Sequence, residues 1–169
     1  MDIAQVRAMA LLLHGNQKYG DKPYIAHLDN VEAIIREYGY GDSVSRQAAL
    51  LHDVLEDTVT TTTSLYKFGV SSEVINIIQF CTDESGNNRE IRKALTYKRW
   101  ENQIRVNPPW LIKAIRVKLA DRLANLRFSL LNSPSHLQLY HREEKIFKVA
   151  LYIPSTADKM WEEYDRLLV

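Results

Sequence analysis

The chain has 169 residues, 46% of them hydrophobic and 25% charged, a balance that fits one globular domain over residues 1–169 and excludes a disordered or collagenous chain. Its formal net charge of +1 is too small for generic nucleic-acid binding, and a lone cysteine, Cys81, rules out an internal disulfide and fits a reducing compartment. The apolar run from Ala8 to Leu13 is too short to span a bilayer and lacks a basic leader and a cleavage site, so a cytoplasmic location with no membrane partner is expected.

Taken in order, Asp2 is placed to cap a first helix running to about Tyr19, with Ala4, Ala8, Leu11 and Leu12 spaced for burial and a stop near Gly20. The turn Gly20-Asp21-Lys22-Pro23 leads to Tyr24-Ile25-Ala26-His27. A second helix is predicted from about Asp29 to Tyr38, with Val31, Ile34 and Ile35 as its apolar stripe. Ser43 or Ser45 then caps a third helix, which carries the run Ala48-Ala49-Leu50-Leu51-His52-Asp53-Val54-Leu55-Glu56-Asp57-Thr58. The threonines at 60–63 are read as a helix-initiating loop, because they have no partner hairpin. Short helices follow around Leu65 to Phe68 and Ser72 to Phe80. A polar loop over Glu84 to Asn88 separates these from a helix over Arg89 to Val106. Pro108-Pro109 opens the next helix, and two more run from about Ser135 to Tyr152 and from Thr156 to Leu168. The fold class is therefore all-α, a single helical bundle without repeats or linkers.

Chemistry concentrates in two of these helices. In the 48–58 run, a helical path returns Glu56 and Asp57 to the side of His52 and Asp53, among leucines and valine, where charged groups need a partner or a metal. In Leu111 to Arg127, the residues Lys118, Asp121, Arg122 and Asn125 share one face. Charge is uneven: residues 89–127 hold 11 Lys and Arg against 3 Asp and Glu, whereas residues 1–88 hold 6 against 12. The basic segment suits an anionic substrate or a solvated helix face. His14 reads as a hydrogen-bonded helix residue, and His136 and His141 as surface or packing residues.

The ordered set His27, His52-Asp53 and Asp121, with intervals of 25 and 68 residues, resembles the metal-ligand pattern of the HD-domain phosphohydrolases. More narrowly, His14-Gly15-Asn16-Gln17-Lys18, Pro23-Tyr24-Ile25-Ala26-His27, the 48–58 run and Lys118-Leu119-Ala120-Asp121-Arg122-Leu123-Ala124-Asn125-Leu126-Arg127 resemble the hydrolase domain of the RelA/SpoT family over roughly residues 5–130. The resemblance implies an HD-type helical bundle in which His27, His52, Asp53 and Asp121 hold a divalent metal, usually Mn²⁺. It implies Glu56 and Asp57 as the catalytic carboxylates, and Lys18, Lys98 and Asn125 as substrate contacts. The implied reaction removes the 3′-pyrophosphate from guanosine tetra- or pentaphosphate, a small-molecule nucleotide. The alternatives are an HD-type enzyme on another nucleotide or phosphate monoester, and a non-catalytic metal-binding regulatory module. Departures from the family pattern include a His14 to His27 interval one residue short, Ala124 in place of a larger residue, and Ile146 near an expected base-stacking Tyr.

Overall fold

A computed structural model describes residues 1–169. It is helical throughout apart from one two-stranded hairpin. Helix α1 spans Ile3–His14 and is capped by Asp2, whose carboxylate accepts from Gln5 N at 2.8 Å while the Gln5 side chain takes the Asp2 N–H. It stops five residues before the expected end, because Gly15 adopts φ +53° and returns its N–H to Leu11 O. The buried stripe is Val6, Ala10 and His14, with Ile3, Met9 and Leu13 beside it; the Ala4–Ala8–Leu11–Leu12 face expected inside is turned to solvent. Both stripes have helical spacing, so periodicity alone does not choose between them.

Residues expected to continue that helix instead form β1 (Lys18–Tyr19), antiparallel to β2 (Lys22–Pro23). The turn between them needs Gly20 twice over: its φ is +62°, and a Cβ there would meet the Phe128 ring at 2.8 Å. Helix α2 (Ile25–Glu37) begins four residues before the predicted Asp29, so His27 lies in its first turn rather than ahead of it. Helix α3 (Ser43–Leu51) is capped by Asp42 and not by either serine, with Val44 N and Ser45 N at 3.1 and 3.2 Å from its Oδ1.

The expected continuous helix through 48–58 is broken. His52 ends α3, and Asp53 (φ −98°, ψ −2°) starts the single-turn α4 (Val54–Asp57), whose Glu56 and Asp57 N–H groups both return to Asp53 O. Thr61 caps α5 (Thr62–Lys67), which makes the threonine run helix-initiating as predicted. Helices α6 (Ser72–Cys81), α7 (Arg89–Val106), α8 (Leu111–Asn132), α9 (Pro134–Leu151) and α10 (Asp158–Leu167) complete the chain.

Helix α8 is the axis. It is buried on nearly every side from Leu111 to Leu126 and packs against α2, α3, α6, α9 and α10. Phe80, Trp100, Phe147, Trp161 and Tyr164 fill the far end of the core; Phe80 stacks on Trp100 at 5.4 Å, and Trp100 Nε1 donates to Phe80 O at 2.8 Å. No helix is long and apolar enough to cross a membrane.

Candidate metal centre

Three elements bring the predicted ligands together: the first turn of α2 supplies His27, the α3–α4 break supplies His52 and Asp53, and the middle of α8 supplies Asp121. Donor atoms of His27, His52 and Asp53 all lie within 4.8 Å of one another. Asp121 stands outside that tight triple yet close to both rings, its Oδ1 3.3 Å from His27 Nε2 and 3.6 Å from His52 Nε2. Asp53 Oδ2 is 3.5 and 2.9 Å from the same two nitrogens.

The break between α3 and α4 explains the geometry at His52. Its Nδ1 donates to Ala49 O at 2.8 Å, one turn back in α3, so the neutral ring carries its lone pair on Nε2. That nitrogen is buried without a hydrogen bond, although two carboxylates face it. A lone pair aimed at anions is repelled unless a positive charge lies between them. Burial alone favours the neutral ring, but Asp53 and Asp121 outweigh it and push the pKa up to about 10, so the two carboxylates call for a positive charge at Nε2, either a proton or a cation. Burial likewise opposes the ionised forms of Asp53 and Asp121, and the imidazoles, with Lys118 for Asp121, overcome it and hold both well below the usual range. Two imidazoles and two carboxylates converging on one point fit a divalent first-row cation, and the buried, unbonded Nε2 is the observation that supports the fit.

Neighbours hold these donors in place. Tyr24 OH donates to Asp53 Oδ2 at 2.6 Å. Burial and Asp53 raise the phenol's pKa, so it remains a donor. Asp121 accepts from Lys118 Nζ at 3.1 Å and from Asn125 Nδ2 at 2.6 Å. Tyr19 stacks on His27 at 4.7 Å and donates to Asn125 Oδ1 at 2.8 Å. Asn125 therefore lines the site with its amide already engaged at both ends.

Beside the four donors lies a pocket of about 190 Å³ lined by charged groups of both signs. Glu56, Asp57 and Asp83 line it together with Arg89, Lys93, Lys118 and Arg122, and Lys93 Nζ pairs with Asp83 Oδ2 at 2.7 Å. Glu56 is accessible to solvent, and its Oε2 accepts from Asp83 N at 3.1 Å. Desolvation raises its pKa, Lys118 opposes the rise, and Asp83 and Asp53 add to it. Asp57 is tied down by Gln17 Nε2 at 2.7 Å. Gln17 Oε1 in turn takes the Nδ1–H of His14, whose ring stacks on Tyr24 at 4.7 Å. The expected hydrogen-bonded helix histidine thus braces the site from behind.

Two expected substrate contacts lie elsewhere. Lys98 stands on the outer face of α7, its side chain 69% exposed and 3.4 Å from Glu101. Thr96 and Trp100 turn the opposite face inward, and Arg89 and Lys93 share that inner face by i+3 and i+4 spacing. Lys18, on β1, borders a neighbouring groove of about 520 Å³ that shares Asn125 and Tyr140 with the metal pocket. Arg89, Asp83 and Tyr140 were not singled out as site residues from the sequence, whereas Lys93 belongs to the basic segment expected to suit an anionic substrate. A basic residue recurring on the face that buries Thr96 and Trp100 was the available signal.

A model of the HD domain matches residues 4–149. The zebrafish (Danio rerio) guanosine-3′,5′-bis(diphosphate) 3′-pyrophosphohydrolase MESH1 is 40% identical over 119 residues, 68% of this chain and 61% of that protein. Its Drosophila melanogaster counterpart is 34% identical over 131 residues, 75% of this chain and 68% of that one. The match to the Xenopus tropicalis relative spans 55% of that protein, so the chain covers little more than half the length of some relatives. A solved structure, described as a metazoan ortholog of SpoT that hydrolyses ppGpp and plays a role in starvation responses, superposes with a TM-score of 0.80 at 26% identity, covering 99% of this chain and 96% of that one. With ligand order, helical architecture and the matched span all in agreement, the chain belongs to the HD domain family.

Proposed function

We propose that this chain is a metal-dependent phosphohydrolase that removes the 3′-pyrophosphate from guanosine tetra- or pentaphosphate, acting as one domain over residues 1–169, in the cytoplasm, with Mn²⁺ as its ion. The observation that carries this reading is the pocket itself, in which three carboxylates and four cations gather beside two imidazoles and two further carboxylates. His27, His52, Asp53 and Asp121 would hold the ion. Bound there, it supplies a Lewis acid that lowers the pKa of water and offsets phosphoryl charge.

The chain's own groups do the rest. Glu56, accessible and unpaired with any cation side chain, takes the proton from the attacking water, while Asp57, held by Gln17, orients that water. Arg89, Lys93, Lys118 and Arg122 neutralise the pyrophosphate as the bond from phosphorus to the 3′-oxygen breaks and that oxygen regains a proton. The groove lined by Lys18, Tyr19, Phe128 and Tyr140 continues from the pocket and offers aromatic faces to a nucleoside.

Purified protein with Mn²⁺ is incubated with a panel of nucleotides, and pyrophosphate and orthophosphate are quantified. Guanosine tetraphosphate should yield GDP and pyrophosphate in equal amounts. Orthophosphate from the 5′ end, or turnover confined to simple nucleoside monophosphates, would replace this reading with a general nucleotide phosphohydrolase.

A further inference from the structure

Two of the cations that line the metal pocket show an arrangement that anion binding alone does not call for. Arg122, adjacent in sequence to the ligand Asp121, is buried, its guanidinium lying between the rings of Tyr140 (4.6 Å) and Phe147 (4.3 Å) on α9. Arg89, the first residue of α7, approaches from the other side. Glu143 of α9 clasps both: Arg89 Nε donates to Oε1 at 2.7 Å and Arg89 Nη2 to Oε2 at 3.1 Å, while Arg122 Nη1 donates to Oε2 at 3.1 Å. Both arginines line the metal pocket and Glu143 does not; its carboxylate lies behind them, on the side of a separate groove between α7 and α9. Burial would raise the Glu143 pKa, but its two arginine partners outweigh it and keep the group ionised.

Two guanidinium groups side by side repel, and a buried arginine without a partner is costly. Each has five N–H donors in a rigid fork, so holding some from behind aims those that remain. We propose that Glu143 is a positioning residue for the hydrolysis described above, holding Arg89 and Arg122 as a paired donor set turned toward the phosphates of the substrate. The inference rests on that functional reading, and it makes α9 part of the substrate wall although α9 supplies no metal ligand.

The sign of one measurement separates positioning from plain electrostatics. Deleting a carboxylate next to an anion site adds one positive charge, which by itself tightens anion binding. Positioning predicts the reverse. In metal-loaded Glu143→Ala, the KM for guanosine tetraphosphate and the Kd for inorganic pyrophosphate by calorimetry should both rise on the order of tenfold, with kcat less affected and metal content unchanged. Glu143→Gln keeps the volume and one acceptor oxygen, so its rise should be about threefold; it decides the matter if the alanine variant does not fold. Adding Arg89→Ala to Glu143→Ala should weaken binding less than Arg89→Ala does alone. Unchanged or lowered KM and Kd in the variants, or no pyrophosphate affinity in the parent protein, would overturn the proposal. If the parent protein hydrolyses no guanosine polyphosphate, the functional reading fails by itself, and the pyrophosphate Kd still decides whether Glu143 positions the two arginines.

Discussion

Tyr24 and Glu56 show how differently two oxygen-bearing side chains serve one centre. Tyr24 touches Asp53, one of the proposed ligands: its hydroxyl satisfies Oδ2 and fixes which lone pairs remain. Tyr24→Phe removes that hydrogen bond while keeping the ring stacked on His14, so metal affinity should fall by about 10–100-fold, as read by competition with a chelator. Glu56 touches no ligand of the ion and shares its carboxylate only with a backbone N–H. Glu56→Gln should therefore retain metal by elemental analysis and lose turnover by about 10²–10⁴-fold. Equal turnover in this variant would give Glu56 a structural role. The convergence of His27, His52, Asp53 and Asp121 was legible in the sequence because polar residues in apolar helical runs are conspicuous. Tyr24 was not, since a tyrosine beside Pro23 reads equally well as packing. Lys98 was misplaced for a related reason: a spacing carried over from a resemblance does not say which face of α7 turns inward, and Trp100 decides that.

At the level of elements, the presence of the long helices was legible, whereas the end of α1, the start of α2 and the buried face of α1 were not. The bounds of α7 match the expectation, because Asn88 caps it and Asn107 at φ +51° ends it. The hairpin at 18–23 has two residues per strand, too few for any period to show, and only a glycine against Phe128 enforces it. The break at His52-Asp53 also left no local sign, as every residue from Ala48 to Glu56 tolerates a helix; the convergence of ligands with α2 and α8 sets it. Helix α10 is tied to the bundle by charge. Glu163 accepts from Arg127 Nε and Nη2, both at 2.8 Å, and from Tyr38, while Arg127 also holds Glu37. Burial would raise the Glu163 pKa from its ordinary value of 4.5, but Arg127 and Tyr38 outweigh it, so the folded value is depressed. The stabilisation is then complete above the ordinary value and fades as pH falls through the folded one. Glu163→Gln should cost about 2 kcal/mol at pH 7, a Tm loss of about 4–8 °C for a chain of this size. Thermal melts should show the difference from the parent protein closing below about pH 4.

Across the whole molecule, the centre joins parts of the chain that are remote in sequence, since His27 and Asp121 are separated by most of the bundle. An ion that binds only the folded form adds to stability by mass action, about 2.7 kcal/mol at a hundredfold excess over its Kd. Chelation should therefore lower Tm by about 5–10 °C, restored by divalent metal. His52→Ala should abolish that metal dependence. A Tm that ignores metal in the parent protein would contradict the ligand assignment.

The interruption at His52-Asp53 has a dynamic consequence. Because α3 ends at His52 and α4 is a single turn, the strap carrying Glu56 and Asp57 is fastened to the body by buried Val54 and by polar contacts through Asp53, Gln17 and Asp83 N. Ligation of Asp53 would then govern how often that strap opens. Amide hydrogen exchange should be fast across residues 54–58 in chelated protein and slow markedly once metal is added, while the buried amides of α8 exchange slowly in both states.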